Sequence, residues 1–169
     1  ELTARSVTAG VPLEGGRARF TAEARGRELA VHIREATGGL AGGTVLVEDA
    51  RWNSAARSNA FDVRVRDVQL SRLLSDWHIE GISGTGRLSG VVPVRFGPEG
   101  IAVEDGHLDT AGPGVIQVDW GSARETLVGS GEQVALTVRA LENFHYDSLA
   151  VGIDRPADGA LALAVGLGP

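Results

Sequence analysis

Apolar and polar residues alternate along most of the chain, and that alternation predicts strands. Ala18, Phe20, Ala22 and Ala24 take one parity, and Arg17, Arg19, Glu23 and Arg25 the other. Leu29, Val31 and Ile33 oppose Glu28, His32 and Arg34, while Phe61, Val63 and Val65 oppose Asp62, Arg64 and Arg66. Leu88, Val92, Val94 and Phe96 oppose Arg87, Ser89 and Arg95. A period of two is the mark of a strand with one buried and one wet face. Further strands are predicted over 2–9, 44–48, 100–103, 107–111, 114–120, 144–153 and 161–167. The segments 11–16, 26–27, 98–100, 104–106 and 156–159 carry Gly, Pro and Asp in turn order, and 50–58 reads as a loop.

The period changes twice. Leu70, Leu73, Leu74 and Trp77 have the spacing of one helix face, which predicts a short helix over 70–77 packed on the sheet. Over 132–141 a helix is predicted as well, because Glu132 and Gln133 open a run of good helix formers. The fold expected is mainly β: an antiparallel meander of about ten strands with two short helices.

Such a meander puts its apolar parity on one face. The residues placed there are Phe20, Val31, Phe61, Val63, Leu88, Val92, Val94, Phe96, Ile101, Val103, Ile116, Val118, Leu161 and Leu163. Two short helices cannot cover about ten strands, each ~4.8 Å wide. The sheet therefore either folds over and seals as a sandwich, or curls into a groove like a half-barrel and leaves an apolar strip open. An open strip larger than a few hundred Å² marks a site for lipid or a partner. Small residues on that face, Ala18, Ala22, Ala24, Gly86 and Gly90, would leave room for chains.

Composition narrows the function classes. At 169 residues the chain is one domain or a segment of a longer protein. A net charge of −6 argues against a nucleic-acid surface, which needs a basic stripe. With no Cys, disulfides and thiolate metal sites are excluded. No apolar run approaches the ~20 residues of a membrane-spanning helix. The absence of Met leads us to expect a processed protein or a piece of one, with any anchor upstream.

No constellation for chemistry emerges. Gly81-Ile-Ser83-Gly-Thr85 has the look of a nucleophile elbow but lacks its last glycine and its strand-to-helix turn. Gly84-Thr-Gly86-Arg-Leu-Ser89 fails the dinucleotide fingerprint at the third glycine. His32, His78, His107 and His145 are isolated, and a metal site would need the His107 and His145 segments to meet. The aspartates fall near turns, and the three tryptophans are read as core or interface residues ahead of sugar platforms. No catalytic residue, metal or cofactor is expected.

Two stretches resemble a known family. One is Asp67-Val-Gln-Leu-Ser-Arg-Leu-Leu74 followed by Ile82-Ser-Gly-Thr-Gly-Arg-Leu-Ser-Gly-Val-Val-Pro-Val94 and Gly100-Ile-Ala-Val-Glu-Asp-Gly-His-Leu108. The other is Ala140-Leu-Glu-Asn-Phe-His-Tyr-Asp-Ser-Leu149 followed by Asp158-Gly-Ala-Leu-Ala-Leu-Ala-Val-Gly166. Together they are similar to the C-terminal domain of the YdbH-like proteins, within the AsmA-like group. The resemblance covers 67–169, with 1–66 as preceding groove strands; the ending Leu167-Gly168-Pro169 departs from an expected Asn-Pro. It implies an envelope protein anchored in the inner membrane through an N-terminal segment, crossing the periplasm as a β-groove. That groove would conduct phospholipids by their acyl chains, continuous with the rest of the same chain and meeting an outer-membrane partner. The domain also carries a dicarboxylate-transport label, which clustered Arg and Lys would support and this sequence lacks. The rival reading is a sealed β-sandwich serving as a structural or interaction module of the envelope.

Overall fold

The computed structural model describes residues 2–8, 12–77, 80–110 and 112–168. Strands β1 (Leu2–Thr8), β2 (Pro12–Arg25), β3 (Glu28–Leu40), β4 (Gly43–Asn53) and β5 (Asn59–Gln69) form an antiparallel meander. Helix α1 (Leu70–Asp76) and β6 (Ile82–Gly84) interrupt it before β7 (Arg87–Gly97) and β8 (Gly100–Thr110) resume. A second interruption comprises β9 (Gly114–Val118), α2 (Ala123–Gly129), α3 (Glu132–Glu142) and β10 (Phe144–Tyr146). The chain then returns through β11 (Ser148–Arg155) and β12 (Ala162–Gly168). The large sheet has nine strands in the order β1-β2-β3-β4-β5-β7-β8-β11-β12. Its two edges do not meet, so it is open and not closed into a barrel. The two interruptions supply a separate three-stranded sheet, β10-β9-β6.

The mainly β antiparallel fold is as the alternation predicts, and both expected helices form as α1 and α3. Helix α2 is an addition that no apolar period announces; none of its residues is buried. Three segments differ from expectation for a common reason. Glu104-Asp105-Gly106 is not a turn: β8 runs through it as one strand. The predicted loop over 50–58 begins only after Asn53, and the predicted turn over 11–16 is strand from Pro12 onward. In each the chain carries a turn-like residue inside a strand as a bulge.

These bulges keep the apolar residues on one side. Asp49, Asp67 and Asp105 all have positive φ, which Asp tolerates better than most residues. Register shifts by one residue between Val65 and Val68 on β5, and between Val91 and Val94 where β7 meets β8. A further shift falls between Arg19 and Phe20, where β3 has an extra residue. An extra residue reverses the parity of everything beyond it. Apolar residues spaced three apart across a bulge, Ile33 and Ala36, Val47 and Ala50, Val65 and Val68, therefore share a face.

The tight core lies at one end of that face. Val65, Val68, Leu88, Leu108 and Leu149 of the large sheet meet Leu70 and Leu73 of α1 and Tyr146 of β10, all nearly inaccessible. Leu74 and Trp77 pack against this cluster half-buried, together with Ile116 and Phe144 of the small sheet. Backbone bonds from Leu70 N–H to Gly86 O (3.1 Å) and from Thr85 N–H to Val115 O (2.9 Å) fasten α1 and the small sheet to each other and to the start of β7. The helix and the small sheet thus plug one end of the large sheet.

Candidate functional site

Register places the apolar residues of successive strands side by side. One row, Gly38–Val45–Val65–Gly90–Leu108–Val151–Val165, crosses seven strands from β3 to β12 without a polar side chain. On the β2 side, Phe20 pairs with Ile33 and Ile33 with Ala50; Ala22 pairs with Val31 and Val31 with Trp52. Toward the end away from the plug, Phe61 pairs with Val94 and Val94 with Val103, while Phe96 pairs with Ile101. The Phe61 and Phe96 rings stack with centroids 5.3 Å apart. Ile153 pairs with Leu163 on the last two strands.

This face is plugged at one end and open over the rest. Phe20 is 41% exposed, Ile101 38%, Leu163 43% and Val165 58%. Val31, Phe61, Val63, Val92, Val94, Phe96 and Val103 are half-buried, and Leu88 lies in the core. Together with the half-buried apolar residues on the strands between them, these exposed side chains form a patch that calls for a ligand or a partner.

The opposite face is wet and ionic. Arg19 pairs with Glu35 at 3.1 Å, Arg95 with Glu104 at 2.8 Å, and Arg64 with Glu48. His32 lies 2.6 Å from Asp49, and His107 lies 3.0 Å from Asp109. These pairs are exposed and each contributes little to stability, roughly 0–1 kcal/mol. Their effect is to fix which side of the sheet faces water.

Several residues singled out in the sequence sit elsewhere. Ile116 and Val118 belong to β9 in the small sheet and are not register neighbours of the others. Leu161 precedes β12 and is 48% exposed. Gly86 and Gly90 do not leave room for a guest. A Cβ on Gly86 would fall 2.4 Å from the Tyr146 hydroxyl, and one on Gly90 would fall 2.0 Å from His107 O. Both glycines permit close approach within the protein itself. Ala50, Trp52, Val45, Val47, Val151, Ile153 and Val165, by contrast, stand on the apolar face. Ala50 and Trp52 escape a period-two reading because the Asp49 bulge reverses their parity.

Ser83 is an exposed residue of β6, its hydroxyl 3.5 Å from Gln117 Oε1. His145 lies on β10, its Nε2 3.4 Å from Asn143 Nδ2, away from His107 on β8. His78 is outside the described residues. Among the described residues no group of three or more His, Asp and Glu side chains could hold a metal ion. Trp120 donates its indole N–H to Val138 O at 3.3 Å and so anchors α3, while Trp77 packs on the core. No helix among the described residues is long and apolar enough to cross a membrane.

Comparison with known proteins adds one match. The model of the YdbH-like family, described as "Intermembrane phospholipid transport protein YdbH", matches residues 1–168. It takes in the first strands as well as the stretch from 67 to 168, which carries the resemblance. No curated protein and no solved structure matches the chain.

Proposed function

Because the chain belongs to the YdbH-like family, whose description implies phospholipid transport between membranes, we propose that it forms a segment of a bridge that carries phospholipids across the periplasm. The apolar face of the large sheet is the floor of a groove for acyl chains, and headgroups travel at its wet rim. The groove residues are those of the register rows, above all Phe20, Val31, Phe61, Val63, Val92, Val94, Phe96, Ile101, Val103 and Leu163. The segment has no catalytic role.

The observation that carries this reading is that, beyond the plugged core, register still sets apolar residues side by side on an open sheet: Phe20 with Ile33, Val31 with Trp52, Phe61 with Val94 and Val103, and Phe96 with Ile101. A sealed sandwich would need a second sheet of comparable width facing it. The second sheet here has three strands. It covers the plug end and leaves the remaining apolar residues open.

On this reading residues 1–66 and 67–169 belong to a single groove segment that continues into the rest of a longer chain. The inner-membrane anchor lies in an N-terminal part of that chain, and an outer-membrane protein receives the lipid at the far end. The test is lipid content. Protein purified without detergent is expected to carry phospholipid visible by native mass spectrometry, and Phe20→Asp and Val165→Asp, at already exposed positions, are expected to lose it while keeping the parent's circular dichroism. Lipid-free parent protein that also ignores a fluorescent fatty acid would remove the basis for the reading.

A further inference from the structure

The apolar face is not uniform along its strands. Near the plug its side chains are small: Gly38, Val45, Val65 and Gly90 stand in one row, with Ala36 and Val47 paired beside them. Toward the opposite end the face turns bulky. Trp52 of β4, Phe61 of β5 and Phe96 of β7 lie half-buried on three neighbouring strands, and the two phenylalanine rings stack with centroids 5.3 Å apart. One step beyond this band the apolar parity ends. On β5 the next residue of that parity is Asn59, whose side chain bonds to the Asn53 backbone. On β11 Arg155 comes two residues after Ile153 and stands in register with Val103. The β2–β3, β4–β5, β7–β8 and β11–β12 connections lie at this end, and α1 and the small sheet lie at the other.

From Phe61 to Val65 is four residues along β5, and from Phe96 to Gly90 is six along β7, which at ~3.3 Å per residue is about 13–20 Å. The acyl chains of one leaflet fill half of the ~30 Å hydrocarbon core of a bilayer, or about 15 Å. A chain laid along the strands therefore spans the floor from the aromatic band to the core. The two ends of that span differ. At the core, Leu70, Leu73 and Tyr146 cover the floor and are nearly inaccessible, so a headgroup there would be buried without a partner, which is costly. Past the band a headgroup meets water, Asn59 and Arg155. An indole, apolar in its ring and polar at its N–H, suits that boundary, as Trp does at the surface of a bilayer. A chain laid across the strands would instead set its headgroup on the apolar floor itself.

We propose that phospholipid lies in the groove with its acyl chains along the strands, methyl ends at the plug and glycerol end at Trp52, Phe61 and Phe96. Every headgroup then emerges over a single rim, that of the β2–β3, β4–β5, β7–β8 and β11–β12 connections. The pose rests on the lipid-groove reading and adds a direction to it.

The experiment loads the full-length protein with phosphatidylethanolamine carrying a photoactivatable diazirine on its acyl chains, either beside the glycerol or at the methyl end. Crosslinked residues are then located by mass spectrometry. The glycerol-side probe is expected to label 51–62 and 94–101, and the methyl-end probe 36–47, 63–65 and 149–151. Labels exchanged between the two probes, or the same residues labelled by both, would overturn the pose and leave the groove standing. No label from either probe on any of these strands would remove the groove and the pose together. The test needs no substitution, so a loss of fold cannot imitate any of these results.

Discussion

The Tyr146 hydroxyl donates to the Thr85 carbonyl oxygen at 2.5 Å, from a side chain that is 2% exposed. That bond joins β10 to the segment between β6 and β7, which are far apart in sequence, and so locks the plug onto the sheet. Tyr146→Phe removes one hydrogen bond and should cost about 0.5–1.5 kcal/mol; Tyr146→Ala empties the site as well and should cost roughly 3–5 kcal/mol. Burial also raises the phenol's pKa above its usual 10.0. A raised pKa favours the protonated folded state, so the contribution is fully present below pH 10 and is lost as pH rises above it. Urea unfolding between pH 8 and pH 11 should show that decline in the parent and a flatter profile in Tyr146→Phe. Identical pH profiles would mean that the hydroxyl is not held as described.

Helix α1 supplies the next test. Leu73 is 6% exposed and Leu88 beneath it 1%. Leu73→Ala should destabilise by roughly 2–5 kcal/mol, as large-to-small core changes do. Leu74→Ala should cost less, because Leu74 is only half-buried against the same cluster. A thermal melt in which Leu74→Ala fell further than Leu73→Ala would show the helix rotated from its described face.

Much of this arrangement is legible in the alternation of residues such as Phe61, Val63 and Val65, because the side-chain period of a strand is a local property. Leu70, Leu73 and Leu74 reveal α1 for the same reason. What stays hidden is non-local. Nothing about Ile82 or Ile116 says that their strands leave the meander to pair with each other. Asp105-Gly106 reads as a turn because the same backbone preference serves a turn and a bulge, and only the neighbouring strands on both sides decide between them. The Asp49 bulge conceals Ala50 and Trp52 in this way. The short ladder between β4 and β5, where only Thr44, Val45 and Leu46 find partners, leaves no trace in sequence at all, since it consists of pairs that are not made.

Gly90 probes the register itself. A methyl group there would meet His107 O at 2.0 Å, and that atom is backbone in the adjoining strand. Side-chain rotation cannot relieve such a clash, so β7 and β8 would have to part. Gly90→Ala should cost at least the roughly 1–3 kcal/mol typical of overpacking. Amide exchange should rise around 90–92 and 106–108 first. A variant as stable as the parent would mean that the two strands are not so closely paired at this point.

The last prediction locates the acyl chains. Trp52 stands on the apolar face beside Val31, Trp77 packs on the plugged core, and Trp120 is bonded to α3 through Val138 O. A protein with Trp77→Phe and Trp120→Phe leaves Trp52 as the sole indole emitter; Trp52→Phe with Trp77→Phe leaves Trp120. Phospholipid with bromine atoms along its acyl chains quenches an indole only at near contact. If chains lie over β4 in the groove, brominated lipid should quench Trp52 strongly and Trp120 weakly, while the unbrominated lipid quenches neither. Strong quenching of Trp120 with Trp52 untouched would place the chains against the helices α2 and α3, and the register rows would then not be the groove. Equal quenching of both would indicate lipid adsorbed without a defined path. Because the bromine effect depends on distance and not on stability, the outcome separates lipid contact from any loss of fold that the substitutions bring.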